Sequence, residues 1–372
     1  MVDITSLLAA NLDGRDVDAR TLATLDADAI LEAAERHDIV PLVAHRLLAI
    51  GNLPATLESR LHSQARAAAI VDLVREAEVR RFFTAIDIAG VRALLLKGSH
   101  LAYTHYARPD LRARVDTDVL IARDARATVH TMLTTSLGYV PAARVSNDLT
   151  APQQAYSKRL PLARHTFDIH WELTSPRVFA SMPSFEDLLE RSERLPALGP
   201  AARVPAATDA LLLACVHRVA HHLDAGDLKW LYDIHLLAGA LSASEWDRFV
   251  GLVRVCGFGA VSQHSLDRAT EVFGTRVPDT VRHGGLSANS AEPSASYLTP
   301  KSLLKRVIDD ARTLSWRDRV RLAQAHLLPS EGYMRSTWAP GSRLPLAWLY
   351  TERVLRGLGG WLAHPERPSR RR

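Results

Sequence analysis

At residue 91 a long helical pattern stops. Val91-Arg92-Ala93-Leu94-Leu95-Leu96 is a short apolar run that ends at once in Lys97-Gly98-Ser99. A run of that length meeting Gly-Ser is read as a buried strand turning into a helix. The residues before it repeat at helical spacing. Leu22, Ala23, Leu25, Ala29, Ile30, Leu31 and Ala34 form one face, with Asp26 or Asp28 placed to cap. His37-Asp38-Ile39-Val40-Pro41 breaks that pattern, Leu42 to Leu48 starts another helix, and 57–88 is one long periodic stretch. The chain must therefore set a few strands inside helices.

Later segments agree. Residues 115–121 read as a strand entering a core, 124–137 as a helix, and Thr166 to Leu173 as a strictly alternating strand. Residues 154–164 fit either reading. From 184 the pattern is helical again, with one or two helices over 208–240 capped at Thr208 or Asp209. The aromatic share is 6%, and Ala, Leu, Arg and Asp are abundant, which favours helices over a β-sandwich. The expected class is α+β, a small mixed-sheet core with helical N-terminal and C-terminal flanks. Its expected parts are an N-terminal helical region (1–90), the α/β core (91–195), a helical domain completing a cleft (196–277), a linker or long loop rich in Pro, Gly, Ser and Asn (278–300), and C-terminal helices with a basic tail (301–372).

Charge and cysteine usage exclude some classes. The net charge is +5, and three of the basic residues are the terminal Arg370, Arg371 and Arg372, so the body is nearly neutral and no DNA partner is expected. Leu344 to Leu362 is interrupted by Glu352, Arg353 and Arg356, which makes it an amphipathic helix and not a membrane span. Two distant cysteines in apolar contexts, Cys215 and Cys256, argue against a disulfide framework, and the N-terminus has no signal-peptide pattern; a cytoplasmic location is expected.

The chemistry is concentrated after Leu96. Lys97-Gly98-Ser99 is followed by 16 residues and then Asp116-Thr117-Asp118. In a strand, residues two apart share a face, so these two carboxylates project together. Hard oxygen ligands suit Mg²⁺, and two ions about 3.5–4 Å apart are usual for phosphoryl and nucleotidyl transfer. A Gly-Ser turn at a helix start offers N–H groups to phosphate. Asp168 supplies a third carboxylate, with His170 and Glu172 on its face of the strand. Each piece alone is common; the order strand, Gly-Ser, helix, D-x-D strand, third-Asp strand is specific.

These residues resemble a known family. Leu94-Leu95-Leu96-Lys97-Gly98-Ser99-His100-Leu101, with Tyr106, Pro109, Leu111, Arg112, Asp116, Asp118 and Leu120, is similar to the uncharacterised nucleotidyltransferase family of the DNA polymerase β-like superfamily. Phe167 to Leu173 resembles its D-[LI]-H-W segment, His37 to Leu42 an upstream H-G-V-x-P-L stretch, and Leu228 to Ile234 a downstream L-R-W-L-x-D-I motif. The likeness covers about 30–240. The chain departs from it at Asp38 (usually Gly), Ala107 (usually Pro) and Thr117 (usually apolar), and Arg108 and Arg114 stand where smaller or apolar residues are more usual. No carboxylate is lost.

The resemblance implies an enzyme that moves an NMP from an NTP, ATP first, to a hydroxyl-bearing acceptor (small molecule, peptide or RNA) with release of pyrophosphate. Mg²⁺ is the expected cofactor, as two ions, with Mn²⁺ as a substitute. Asp116, Asp118 and Asp168 are the expected catalytic and metal residues, Asp168 as a ligand or as the general base. Lys97, Gly98, Ser99, Arg112 and Lys229 are expected at the nucleotide phosphates. Four of them have an ordinary alternative: Lys97 as a partner for the carboxylates, Ser99 as an N-cap, Arg112 in a structural ion pair, Lys229 paired with Asp233 one turn on. His217, His221 and His222 are read as helix packing, contacts to nucleotide or acceptor, or a zinc site, and the 217–235 segment as the opposite cleft wall. Two other functions remain open, a toxin-like tRNA nucleotidyltransferase using Arg108, Arg112 and Arg114, and a non-catalytic nucleotide-binding scaffold.

Overall fold

The computed structural model of the protein describes residues 4–14, 26–143, 151–222, 224, 226–286, 292–299 and 303–362. Leu22, Ala23 and Leu25, part of the expected loop at 278–300, the Trp361 side chain and the 363–372 tail lie outside them. The chain opens with helices α1 (Ile4–Leu12), α2 (Ala27–Arg36), α3 (Val40–Ile50) and α4 (Ala55–Ile88). Asp26 caps α2 by accepting from the Asp28 N–H, and Pro41 sits in the first turn of α3, where its missing N–H costs nothing.

The core follows as β1 (Ala93–Leu95), α5 (Lys97–Thr104), β2 (Thr117–Ile121), α6 (Arg126–Thr131), β3 (Val140–Pro141), β4 (Gln153–Arg159) and β5 (Arg164–His170). The five strands form one sheet in the order β1-β2-β5-β4-β3. β2 and β5 run parallel, and the other pairs are antiparallel, so the sheet is mixed. The ambiguous stretch at 154–164 is β4 and the turn into β5.

Alternation along the strands sorts the two faces. Ala93, Leu95, Val119, Ile121, Phe167 and Ile169 pack on Val79, Phe82, Phe83 and Ile86 of α4. The opposite face carries Leu94, Leu96 and Leu120, which meet Leu173, Phe185, Leu188 and Leu213. Beyond the sheet lie α7 (Phe185–Arg191), the hairpin β6 (Glu193–Arg194) and β7 (Arg203–Val204), α8 (Ala207–His222), α9 (Leu228–Ala240), α10 (Ala243–Cys256) and α11 (Gly259–Phe273). Leu228, Leu231 and Tyr232 of α9 pack into the same cluster as α1, α2 and α3, so the two helical flanks meet. The C-terminal helices are α12 (Leu303–Arg312), α13 (Trp316–Leu327) and α14 (Leu346–Leu362). Among the described residues no helix is long and apolar enough to cross a membrane, and Cys215 and Cys256 are free and buried.

The expected α+β architecture is what forms, and some local details differ. β5 ends at His170, so Glu172 leaves the strand face and instead pairs with Arg123 and Arg177. Thr208 and Asp209 lie inside α8 and do not cap it; the Asp209 carboxylate receives a two-pronged hydrogen bond from Arg191, at 2.9 and 2.8 Å.

Candidate functional site

Parallel pairing of β2 with β5 sets Asp118 directly opposite Asp168, and Leu120 opposite His170. Paired residues point to the same face, so two carboxylates and an imidazole meet on the sheet face away from α4. Asp118, Asp168 and His170 each offer a ligand atom within 4.8 Å of one another. His170 Nε2 lies 2.8 Å from Asp118 Oδ1, Lys97 Nζ donates to the same oxygen at 2.7 Å, and Gln153 Nε2 donates to Asp168 Oδ2 at 3.2 Å.

Asp116 departs from the expected geometry. The strand begins at Thr117, so Asp116 sits on the preceding bend, where the two-residue alternation does not apply, and it is outside that group of three. It remains electrostatically coupled to both: the Asp118 charge helps raise the Asp116 acid after burial, and the Asp116 charge helps raise Asp168. Burial alone would raise the Asp118 acid, but the Lys97 charge and the His170 hydrogen bond outweigh it and hold Asp118 well below the carboxylate range. Burial, reinforced by Asp116 and Asp118, pushes Asp168 up to about 7. Neighbouring carboxylates with their acid strengths driven apart make this cluster the functional-site candidate.

Lys97 reaches Asp118 from the first residue of α5 and adopts a left-handed backbone, with φ of 52°. That conformation is unfavourable for a side chain with a Cβ, and such residues concentrate at functional sites. Leu96, not Ser99, is the N-cap of α5. Ser99 is buried in the first turn, its Oγ facing the Asp116 carbonyl oxygen at 3.5 Å. The N–H groups of Lys97, Gly98 and Ser99 fall in the first turn of α5, where backbone donors have no partner within the helix. At Gly98 an added Cβ would lie 3.3 Å from the Arg112 guanidinium carbon, tighter than ordinary contact.

Arg112 takes its structural alternative. It is 3% exposed and grips Asp233 of α9 with Nε and Nη2, at 2.8 and 2.5 Å. Tyr106 Oη donates to the same carboxylate at 2.8 Å. Lys229 does not pair with Asp233; its Nζ donates to Asp38 Oδ2 at 2.7 Å and lies 4.2 Å from the Trp230 ring centre. Asp38, at the family's usual glycine, has φ of 53°, which explains why glycine suits that position. Arg114 pairs with Asp72 and is buried, and Arg108 binds Asp110, so the three arginines make no open basic patch.

The 217–235 segment lies beside this centre. Burial, then the Lys97 charge, drives His217 far below its ordinary value, and Lys97, His170 and Asp118 all act on His221. His217 Nε2 is 3.0 Å from His222 Nε2, and the His222 ring stacks on Trp230 at 4.2 Å. These histidines pack on one another and on Trp230, and among the described residues the group arranged to hold a metal is Asp118, Asp168 and His170. Sequence reasoning missed the roles of Gln153, Tyr106 and Asp72; Tyr106 alone carried a signal, as part of the quoted motif.

The comparisons fit this geometry. A family model described as an uncharacterised nucleotidyltransferase matches residues 23–274, more than half of the chain and all of the groups above. No curated protein matches the chain.

Proposed function

The chain belongs to that uncharacterised nucleotidyltransferase family and is a transferase, and from this premise we propose a Mg²⁺-dependent transfer of an NMP from an NTP, ATP first, to a hydroxyl-bearing acceptor. The observation that carries the reading is Asp118 facing Asp168 in register, with Lys97 on the same oxygen as His170. The donor set fits a divalent cation: two buried or half-buried carboxylates converge, and Asp116 adds a third charge close by. Asp118, Asp168 and Asp116, with His170 beside them, would hold two ions, and Mn²⁺ would serve because carboxylate oxygens suit it as they suit Mg²⁺. Bound there, such ions would neutralise the charge of the triphosphate and lower the pKa of the acceptor hydroxyl.

This chain's own groups do the rest. The α5 N–H groups and Lys97 receive the phosphates, and Lys229, paired with Asp38, stands on the α9 side. The acceptor oxygen bonds to the α-phosphorus as the bond from that phosphorus to the bridging oxygen breaks. The hydroxyl proton passes to the Asp168 carboxylate, which a bound cation would keep ionised. Pyrophosphate leaves with the bonding pair.

Incubating the purified protein with labelled NTPs, Mg²⁺ or Mn²⁺ and metabolite extract is expected to yield a labelled acceptor and pyrophosphate. Equal inertness of the wild type and of a D116A/D118A variant would sink the reading. Cation binding should also depend on pH. Below about 7 Asp168 holds a proton that the ion must displace, so affinity should fall about tenfold per pH unit there and level off above. Mn²⁺ titration followed by electron paramagnetic resonance at pH 6, 7 and 8 measures this; a flat profile would remove Asp168 from the ligand set.

A further inference from the structure

Arg112 and Asp233 are both buried, yet they belong to distant parts of the chain, 121 residues apart. A desolvated ion pair is weak evidence for stability, because the cost of burial offsets most of its attraction. Its surroundings point to another use. Four segments converge on it. Arg112 comes from the loop before β2, Tyr106 from the loop after α5, Asp233 from α9, and Gly98 from the first turn of α5. The guanidinium lies flat against Gly98, and its carbon and both terminal nitrogens stand 3.3 to 3.4 Å from where a Cβ would be. Its remaining terminal nitrogen donates to the Ala113 carbonyl at 2.6 Å, and its carbon sits 5.2 Å from the Trp230 ring centre. The planar fork thus has its edge on α9 and its face on the turn that carries Lys97.

One helical turn earlier, Lys229 ties the same helix to Asp38, between α2 and α3. α9 is therefore pinned twice, to the N-terminal helices and to the core, and Arg112 passes that fixed position on to the α5 turn. Side chains separated by four residues on a helix usually pair with each other; here each is spent on a different neighbour.

We infer that Arg112 and Asp233 are positioning residues, whose pair fixes the Lys97–Gly98 turn against α9 so that Lys97 and the α5 N–H groups meet the nucleotide in register with Asp118. The inference rests on the nucleotidyltransferase reading above. A displacement of about 1 Å at such a turn costs on the order of 100-fold in rate.

The test uses the full chain and four variants, with kcat, the KM for NTP, the binding of a non-hydrolysable Mg·NTP analogue, and the thermal midpoint. Arg112→Lys keeps the charge paired with Asp233 but removes the flat face. It is expected to keep its midpoint within a few degrees and to lose about 100-fold in kcat, where a purely structural ion pair would show the reverse, a lowered midpoint with kcat and analogue binding kept in the folded fraction. Gly98→Ala, with the pair intact, should show a similar loss because its Cβ pushes on the guanidinium. Asp233→Asn should weaken analogue binding, and a G98A/D233N variant should lose no more than the worse single change, since both act through one group. Folded Arg112→Lys with kcat and analogue binding within twofold of wild type overturns the inference. So do losses that multiply in the double variant. A wild type that binds no analogue overturns the functional reading itself, and the positioning role with it.

Discussion

Asp118→Asn is expected to slow nucleotidyl transfer by at least about 1,000-fold, roughly 4 kcal/mol of transition-state stabilisation. The amide preserves shape and removes the charge on which Lys97 and His170 converge. Asp118 is the most acidic of the three carboxylates and so the one already ionised to receive a cation at any physiological pH. Asp168→Asn should cost nearly as much, since it removes both a candidate ligand and the candidate base. Asp116→Asn should cost less, because Asp116 stands outside the tight group. Single-turnover rates with labelled NTP at saturating cation give the ranking. An Asp118→Asn rate within tenfold of wild type would show that the in-register carboxylates are not the reacting centre.

Phe82→Ala is expected to remove about 3–5 kcal/mol from the stability of the protein. The ring is fully buried on the α4 side of the sheet and packs on Phe167 at 4.7 Å and Phe83 at 5.5 Å between ring centres. Phe167 precedes Asp168, so the cavity opens beneath the strand that presents the candidate base. Urea unfolding followed by circular dichroism reads the loss. A change below about 1 kcal/mol would mean that the neighbouring side chains close the gap.

How much of this was legible follows from what each signal measures. Periodicity located the sheet inside helices, and the change at residue 91 marked β1, because burial dictates both patterns. Asp168 was legible by residue type and order. The register between β2 and β5 was not, since nothing in either strand alone says which residue faces which. For the same reason nothing in the strand shows that His170, buried in the sheet, shares an Asp118 oxygen with Lys97. Asp116 and Asp118 looked equivalent because alternation was extended one residue past the strand. Lys229 and Asp233 looked like partners because helix spacing is visible in sequence, whereas the approach of Asp38 and Arg112 is tertiary. Arg112 and Arg114 are open to an RNA-contacting reading for the same reason; their acidic partners come from α9 and α4.

Long-range closure gives the site a place in time as well as in space. Asp118 and His170 are 52 residues apart, and Asp233 completes its contacts 121 residues after Arg112. Loop closure is slow to gain from such distant pairings, so chains built on them fold later than their local helices do. During synthesis from the N-terminus, α4 and the Lys97 turn emerge first, without the strand that faces Asp118 or the helix that clamps Arg112. A nascent chain therefore carries the Lys97 turn without the paired carboxylates, and its candidate site closes only after α9 has left the ribosome.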